Sequence, residues 1–496
     1  MVIGTKIKNI MSNPLSNLEP KAVWDYFYQL TQQPRPSKHE EKVRKYLLDF
    51  AQGIGLEAFA DEIGNVIIRK PATPGMENRR GVILQGHMDM VPQANSDVKH
   101  DWLTDPVQPR IDGEWVKATG TTLGADNGMG VATAMAILAS KDVAHGPLEV
   151  LFTCDEETGM TGANGIKPGI LKGDMLINCD YEDEGELCVG CAGGVNGTFT
   201  FDAKLKPAPE HHKAFKLSVT GLRGGHSGID INLGRGNANK IIFRYLNSAM
   251  AKFNVRLADI QGGSLRNAIP REAFATVLVP DFYADKIAAD VAEYESIVKS
   301  ELNTVDPDLK ISIEPTAMPE KAISDGVGSR LTKAVYACPN GVARMSADVE
   351  GLVETSSNLA IVKLEGDKIV VKSLLRSSVE SAKADLAEQM RCVFNMAEAD
   401  AEFDGGYPGW KPNMKSAILD VMRRTSSKIF GHEAEIKAVH AGLECGILGS
   451  KYPNWDMVAC GPHLVHPHSP DEAVNIASVQ RFYNWVVETL KTVPEK

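Results

Sequence analysis

Cysteine is scarce, with 8 in 496 residues, and Cys154, Cys179 and Cys460 sit in apolar runs. That usage belongs to a reduced, cytosolic chain and excludes a disulfide scaffold. Cys188-Val-Gly-Cys191 has the spacing of half a zinc knuckle, but no second pair matches it, so two part-buried thiols are expected. No stretch approaches the roughly 18 consecutive apolar residues that a membrane span needs. Met1 to Ser16 lacks a continuous apolar core and a small-residue cleavage site, so no signal peptide is expected. Met11 offers a second start, which would make the residues before it an unstructured extension. Basic clusters are missing too, the longest being Arg79-Arg80 and Arg423-Arg424. With 53 Lys and Arg against 64 Asp and Glu, the net charge is −11, which argues against nucleic acid and anionic membranes as partners.

What is present is a globular balance, 43% hydrophobic and 24% charged. The length allows about two to four domains. Helix is expected over Pro20 to Gly53 and after Gly128. Short apolar strands are expected at Asn65–Arg69, Gly81–Gln85, Leu148–Thr153 and Met175–Cys179. Such runs separated by helices predict an α/β sheet covered on both faces. Near Ala192-Gly-Gly194 alternating segments take over, and two β/α groups follow without a detectable sequence repeat. The α/β pattern returns after Gly405-Gly-Tyr-Pro-Gly-Trp410. The expected architecture is one α/β domain built from 1–194 and 406–496, a mixed sheet between helices, interrupted by an α+β domain over 195–405. Glycine-rich joints at both boundaries suit a hinge.

Several acid- or imidazole-bearing spots lie at predicted strand ends, where open α/β sheets bind ligands. They are Gly86-His87-Met88-Asp89, Cys154-Asp155-Glu156-Glu157-Thr158-Gly159 and Asn178-Cys179-Asp180. Gly124-Ala-Asp126-Asn127-Gly128 precedes a helix, and His463-Leu-Val-His466-Pro-His468 lies near the C-terminus. Singly, each has an ordinary explanation: a hydrogen-bonded histidine, an N-cap at Asp126, a solvated pair at Glu156-Glu157. Together they match a paired divalent-metal site, which needs a bridging carboxylate with a His and a carboxylate at each end. Beyond a strand end, the side chains of Glu156 and Glu157 diverge, so one can bind metal while the other faces substrate as general base. Asp89, two residues after His87, can accept the second ring N–H and orient the imidazole.

These motifs, with His466-Pro-His468-Ser-Pro470, resemble the co-catalytic zinc aminopeptidase/carboxypeptidase family over nearly the whole chain. The long insert, Gly193-Gly-Val-Asn-Gly197, Gly224-Gly-His226-Ser-Gly228 and Ala441-Gly-Leu-Glu-Cys445 are most similar to its bacterial Xaa-His dipeptidase branch. The resemblance implies that His87 and Asp180 hold one zinc, Glu157 and His468 the other, and Asp126 both, through a cis peptide to Asn127. It makes Glu156 the general base for a water held by two Zn2+ (or Mn2+ or Co2+) and Asp89 the orienter of His87. It places His226 on a lid that also forms a homodimer, where it would polarise the scissile carbonyl or stabilise the tetrahedral oxyanion, in its own subunit or across the dimer. Asn267 and Arg376 would grip the substrate's C-terminal carboxylate, Arg376 through its bidentate fork, and Glu444 would meet the free α-amine. The implied activity is cytoplasmic hydrolysis of L-dipeptides, especially carnosine-like Xaa-His. A tripeptidase, a carboxypeptidase or an N-acyl amino acid deacylase would use the same metal motifs, because specificity lies in the pocket and lid. A binding protein that kept only the fold would have lost the base or a ligand, and every expected position is filled. A nucleic-acid-directed metallohydrolase conflicts with the acidic charge.

Overall fold

A computed structural model describes residues 13–496; the extension and second start expected at residues 1–11 lie outside them. The mainly helical stretch expected over Pro20 to Gly53 forms two helices, Lys21–Thr31 and Glu41–Gly53. Pro34 and Pro36 break the run around Arg35, because proline lacks the N–H and denies the α conformation to the residue before it.

The chain divides into two units. The first runs to Gly190 and adds Asn413–Lys437 and Ile447–Lys496; the second is Cys191–Pro412 with Ala438–Gly446. The boundaries therefore fall a few residues from 194 and 406, and a short segment beyond 406 clusters with the insert. The expected glycine-rich joints lie within paired strands. Gly193 and Gly194 open the strand Gly193–Asp202, and Tyr407 of the strand Asp400–Tyr407 pairs with Gly194. A Cβ on Gly193 would come within 2.4 Å of the Gly409 nitrogen, so glycine is there for close backbone approach.

The first unit carries an eight-stranded mixed sheet. Its order is Glu57–Ala60, Val66–Lys70, Leu148–Thr153, Val82–His87, Met175–Asn178, Asp456–Ala459, Glu186–Cys191 and Glu435–Val439. Leu148–Thr153, Val82–His87, Met175–Asn178 and Asp456–Ala459 run parallel, and the first three are buried along their whole length. A parallel strand covered on both faces needs such a continuous apolar run. Helix Ala125–Ala139 packs on the strand Val82–His87, and Trp24, Phe27, Phe482 and Trp485 complete the core.

The second unit is a nine-stranded sheet, antiparallel at every pairing, with helices Ala238–Phe253, Ile287–Leu302, Asp325–Ala337 and Glu380–Met396. Its order hides a duplication. Strands His212–Thr220, Arg256–Gly262, Ala273–Pro280 and Lys310–Pro315, numbered one to four along the chain, lie in the order 4-1-3-2. Gly193–Asp202, Val353–Glu365, Lys368–Ser377 and Asp400–Tyr407, numbered likewise, continue as 2-3-1-4. Each half is a βαββαβ unit, and one is inserted in the chain of the other. No helix among the described residues is long and apolar enough to cross a membrane.

Candidate metal centre

Parallel strands end on the same edge of a sheet, and this edge gathers the acids and imidazoles. His87 closes the strand Val82–His87, Glu156 and Glu157 follow Leu148–Thr153, and Asp180 lies just past Met175–Asn178. His468 comes from the loop beyond Asp456–Ala459. Asp126 lies in the first turn of Ala125–Ala139, where it and Asn127 depart from helical geometry and the Asp126–Asn127 peptide is cis.

Two donor sets form, His87–Asp126–Asp180 and Asp126–Glu157–His468, sharing Asp126. His87 Nε2 is 3.0 Å from Asp126 Oδ1 and 3.5 Å from Asp180 Oδ1. His468 Nε2 is 3.1 Å from Asp126 Oδ2 and 2.9 Å from Glu157 Oε2. The two oxygens of Asp126 thus face different imidazoles. Tetrahedral ligands about 2.0–2.1 Å from an ion stand roughly 3.3 Å apart, so both sets have the spacing of ligand shells. Glu157 Oε1 is buried without a hydrogen-bond partner, a free lone pair inside the cluster. His87, Glu156 and Glu157 also converge, which keeps Glu156 beside the centre.

The electrostatics favour positive charge at both positions. Burial opposes a charged ring at His87, but Asp180, Asp126 and Asp89 outweigh it and hold the imidazole well above the ordinary histidine range. Hydrogen bonds to Asp126 and Glu157 push His468 up to about 11. Burial works to raise Asp126, yet both histidines hold it below the usual carboxylate range. Burial raises Asp180 to about 7. Such carboxylates among imidazoles, with no Cys or Lys among them, suit zinc, manganese or cobalt.

Asp89 does more than face His87 Nδ1 at 3.4 Å. It accepts the N–H of Glu156 at 3.0 Å and of Glu157 at 3.3 Å, and the Ser37 hydroxyl at 2.8 Å. The carboxylate that orients a donor histidine therefore also fixes the turn that carries both glutamates.

The remaining expected residues lie in the second unit. His226 Nδ1 accepts the N–H groups of Gly228 (3.2 Å) and Ile229 (3.1 Å), so the ring's proton sits on Nε2. Burial and the Arg376 charge lower its pKa and keep the ring neutral. Arg376, on Lys368–Ser377, donates to Tyr407 Oη at 2.9 Å and to Ser227 Oγ at 3.3 Å. Asn267 is different: its side chain is exposed and its backbone carbonyl accepts from the Ser227 N–H. Glu444 is buried at the start of helix Glu444–Lys451.

Sequence reasoning missed Ser227 and Tyr407 beside Arg376, and Arg35, Glu472 and the Asn127 side chain around Asp126. Asn127 Nδ2 donates to the Cys179 carbonyl at 2.6 Å, tying the Asp126 turn to the segment that carries Asp180. Asn127, Ser227 and Tyr407 lie inside motifs already singled out and Glu472 follows His468 closely, so a search around those motifs could have found them; Arg35 binds backbone carbonyls and leaves no spacing pattern.

The model of peptidase family M20/M25/M40 matches residues 83–492. The chain belongs to that family, and the resemblance carried by the motifs stands. It is 44% identical over 482 residues to the cytosol non-specific dipeptidase of Escherichia coli (strain K12), covering 97% of this chain and 99% of that one. The solved aminoacylhistidine dipeptidase of Vibrio alginolyticus matches with TM-score 0.94 at 48% identity, covering 97% of this chain and 98% of that one. The aminopeptidase PepT of Bacillus cereus, at 15% identity and TM-score 0.60 over 96% of this chain and 99% of that one, shares the fold alone.

Proposed function

We propose that this chain is a cytoplasmic, metal-dependent dipeptidase that hydrolyses L-dipeptides, with Xaa-His among its preferred substrates. The observation that carries the reading is the Asp126 carboxylate, each oxygen about 3 Å from a different imidazole, each imidazole backed by a further acid. The activities for which the Escherichia coli and Vibrio alginolyticus relatives are named support the substrate class. His87 and Asp180 would hold one zinc, Glu157 and His468 the other, and Asp126 both. When bound, the pair would supply an acidified water and polarise the scissile carbonyl.

The chain's own groups do the rest. Glu156 takes the proton of the attacking water and returns it to the leaving amine. Asp89 holds both the His87 ring and the peptide groups of Glu156 and Glu157, so donor and base keep their places. His226, neutral with its proton on Nε2, is suited to donate to the developing oxyanion without displacing a cation. Arg376, held by Tyr407 and Ser227, offers its guanidinium to the substrate carboxylate, and Glu444 meets the α-amine. We assign Asn267 a part in the same grip. The inserted unit serves as lid and homodimer contact, which its exposed Ile229, Leu233 and Leu265 support.

Arg376→Lys keeps the charge and loses the fork, so KM for dipeptides should rise about tenfold with a smaller change in kcat. Steady-state kinetics checks this, and an unchanged KM removes Arg376 from the carboxylate grip. The reading as a whole is tested by a panel of Xaa-His dipeptides, other dipeptides, tripeptides and N-acyl amino acids, with and without chelator. Dipeptide cleavage should stop on chelation and return with Zn2+, Mn2+ or Co2+. Turnover confined to tripeptides or N-acyl substrates would move the assignment to another specificity of the family.

A further inference from the structure

Two fully buried side chains of opposite charge, Arg35 and Glu472, are used by no step above. Glu472 Oε2 accepts the N–H groups of Leu123 (2.8 Å) and Gly124 (3.0 Å), and its Oε1 accepts those of Ala125 (2.7 Å) and Asp126 (3.2 Å). Successive N–H groups converge on one carboxylate because Gly124 takes a left-handed conformation, φ 72°. Arg35 works on the carbonyl side of the same peptide. Its guanidinium donates to Gly124 O at 2.5 Å, Met88 O at 3.0 Å and Asp89 O at 2.8 Å. The Arg35 backbone is pinned as well, its carbonyl accepting the Met90 N–H at 3.1 Å.

The Asp126 turn is thus held from both sides. One clamp comes from the segment that also carries His468, the other joins the turn to the segment that carries His87. Side chains this deep, bound to this many backbone groups, are costly to bury for fold alone, and Arg35 Nε stays buried without a partner even so.

We infer that Arg35 and Glu472 are positioning residues that set where the two oxygens of Asp126 point, and so the affinity of both ions and their spacing. The inference rests on the two-ion reading. Glu472→Gln keeps the volume but turns an amide NH2 toward two of the N–H donors. Arg35→Lys keeps the charge but replaces a fork that spans three carbonyls with a single ammonium.

The test is titration of chelator-stripped protein with Co2+, followed by calorimetry and by the visible d–d bands, which report ligand geometry. Both variants should bind Co2+ about 10–100-fold more weakly, with altered bands, and at saturating Co2+ show reduced kcat with little change in KM. Val486→Ala, a core change in the terminal helix Ile476–Thr492, serves as the stability control. It should lower Tm without touching Co2+ affinity or spectrum. If Glu472→Gln does not fold, Arg35→Lys decides. Native Co2+ affinity, spectrum and kcat in a folded variant overturn the positioning role, as does a Co2+ loss matched by Val486→Ala. A wild-type protein that takes up no Co2+ defeats the two-ion reading itself, which is a separate outcome.

Discussion

Glu156→Gln is expected to retain its full metal content while kcat falls by about 10²–10⁴-fold, the usual worth of a positioned general base. The reason is geometric. Glu156 stands beside the centre with His87 and Glu157, but it belongs to neither donor set that shares Asp126. The amide cannot accept the water's proton or return one to the amine. KM should change little, because binding of the substrate's termini is assigned to other side chains. Glu156→Ala should behave the same way with respect to ions. Metal analysis beside steady-state kinetics checks both variants, and an active Glu156→Ala would refute the assignment of the base.

Asp126→Ala should do the opposite and strip the ions. No other described side chain belongs to both donor sets, so its loss takes a ligand from each. It also leaves His87 and His468 without the acceptors now 3.0 and 3.1 Å away. The expected result is ion content falling from about two per chain toward zero, and turnover lost with the acidified water, since an unbound water has a pKa near 15.7 rather than about 7. Circular dichroism should remain native, because the core around Trp24, Phe27 and Trp485 is apolar and does not include Asp126. Retention of two tightly held ions by Asp126→Ala would end the bridging assignment.

Much of the site is legible in the order of residues alone. His87, Glu156, Glu157 and Asp180 each follow an apolar strand signal, and strand ends bind ligands for topological reasons. Arg376 is legible as a residue but not as an environment, because Tyr407 and Ser227 reach it only through sheet pairing and the His226 turn. Asn267 is legible as a residue too, while the bond its carbonyl accepts from the Ser227 N–H is not. At the glycine pairs the sequence alone leaves the local conformation open. Glycine marks close backbone approach as readily as flexibility, and it is the pairing of Tyr407 with Gly194 that shows the close approach.

The order of residue types along the chain was enough to determine the fold class, the family and the chemical character of the centre. Each of those rests on local signals: an apolar run, a glycine turn, an acid or imidazole at a strand end. Tertiary structure alone decided that donors scattered from His87 to His468 gather into two sets sharing Asp126, with the imidazole nitrogens 2.9–3.5 Å from their carboxylate neighbours, because parallel strands distant in sequence end side by side. It also decided what holds Asp126 in place. Arg35 and Glu472 recognise peptide groups, which every residue carries, so no spacing of side chains could have announced them. The duplication in the inserted unit was hidden likewise, since matching strand order constrains where backbones pair and leaves residue identity free.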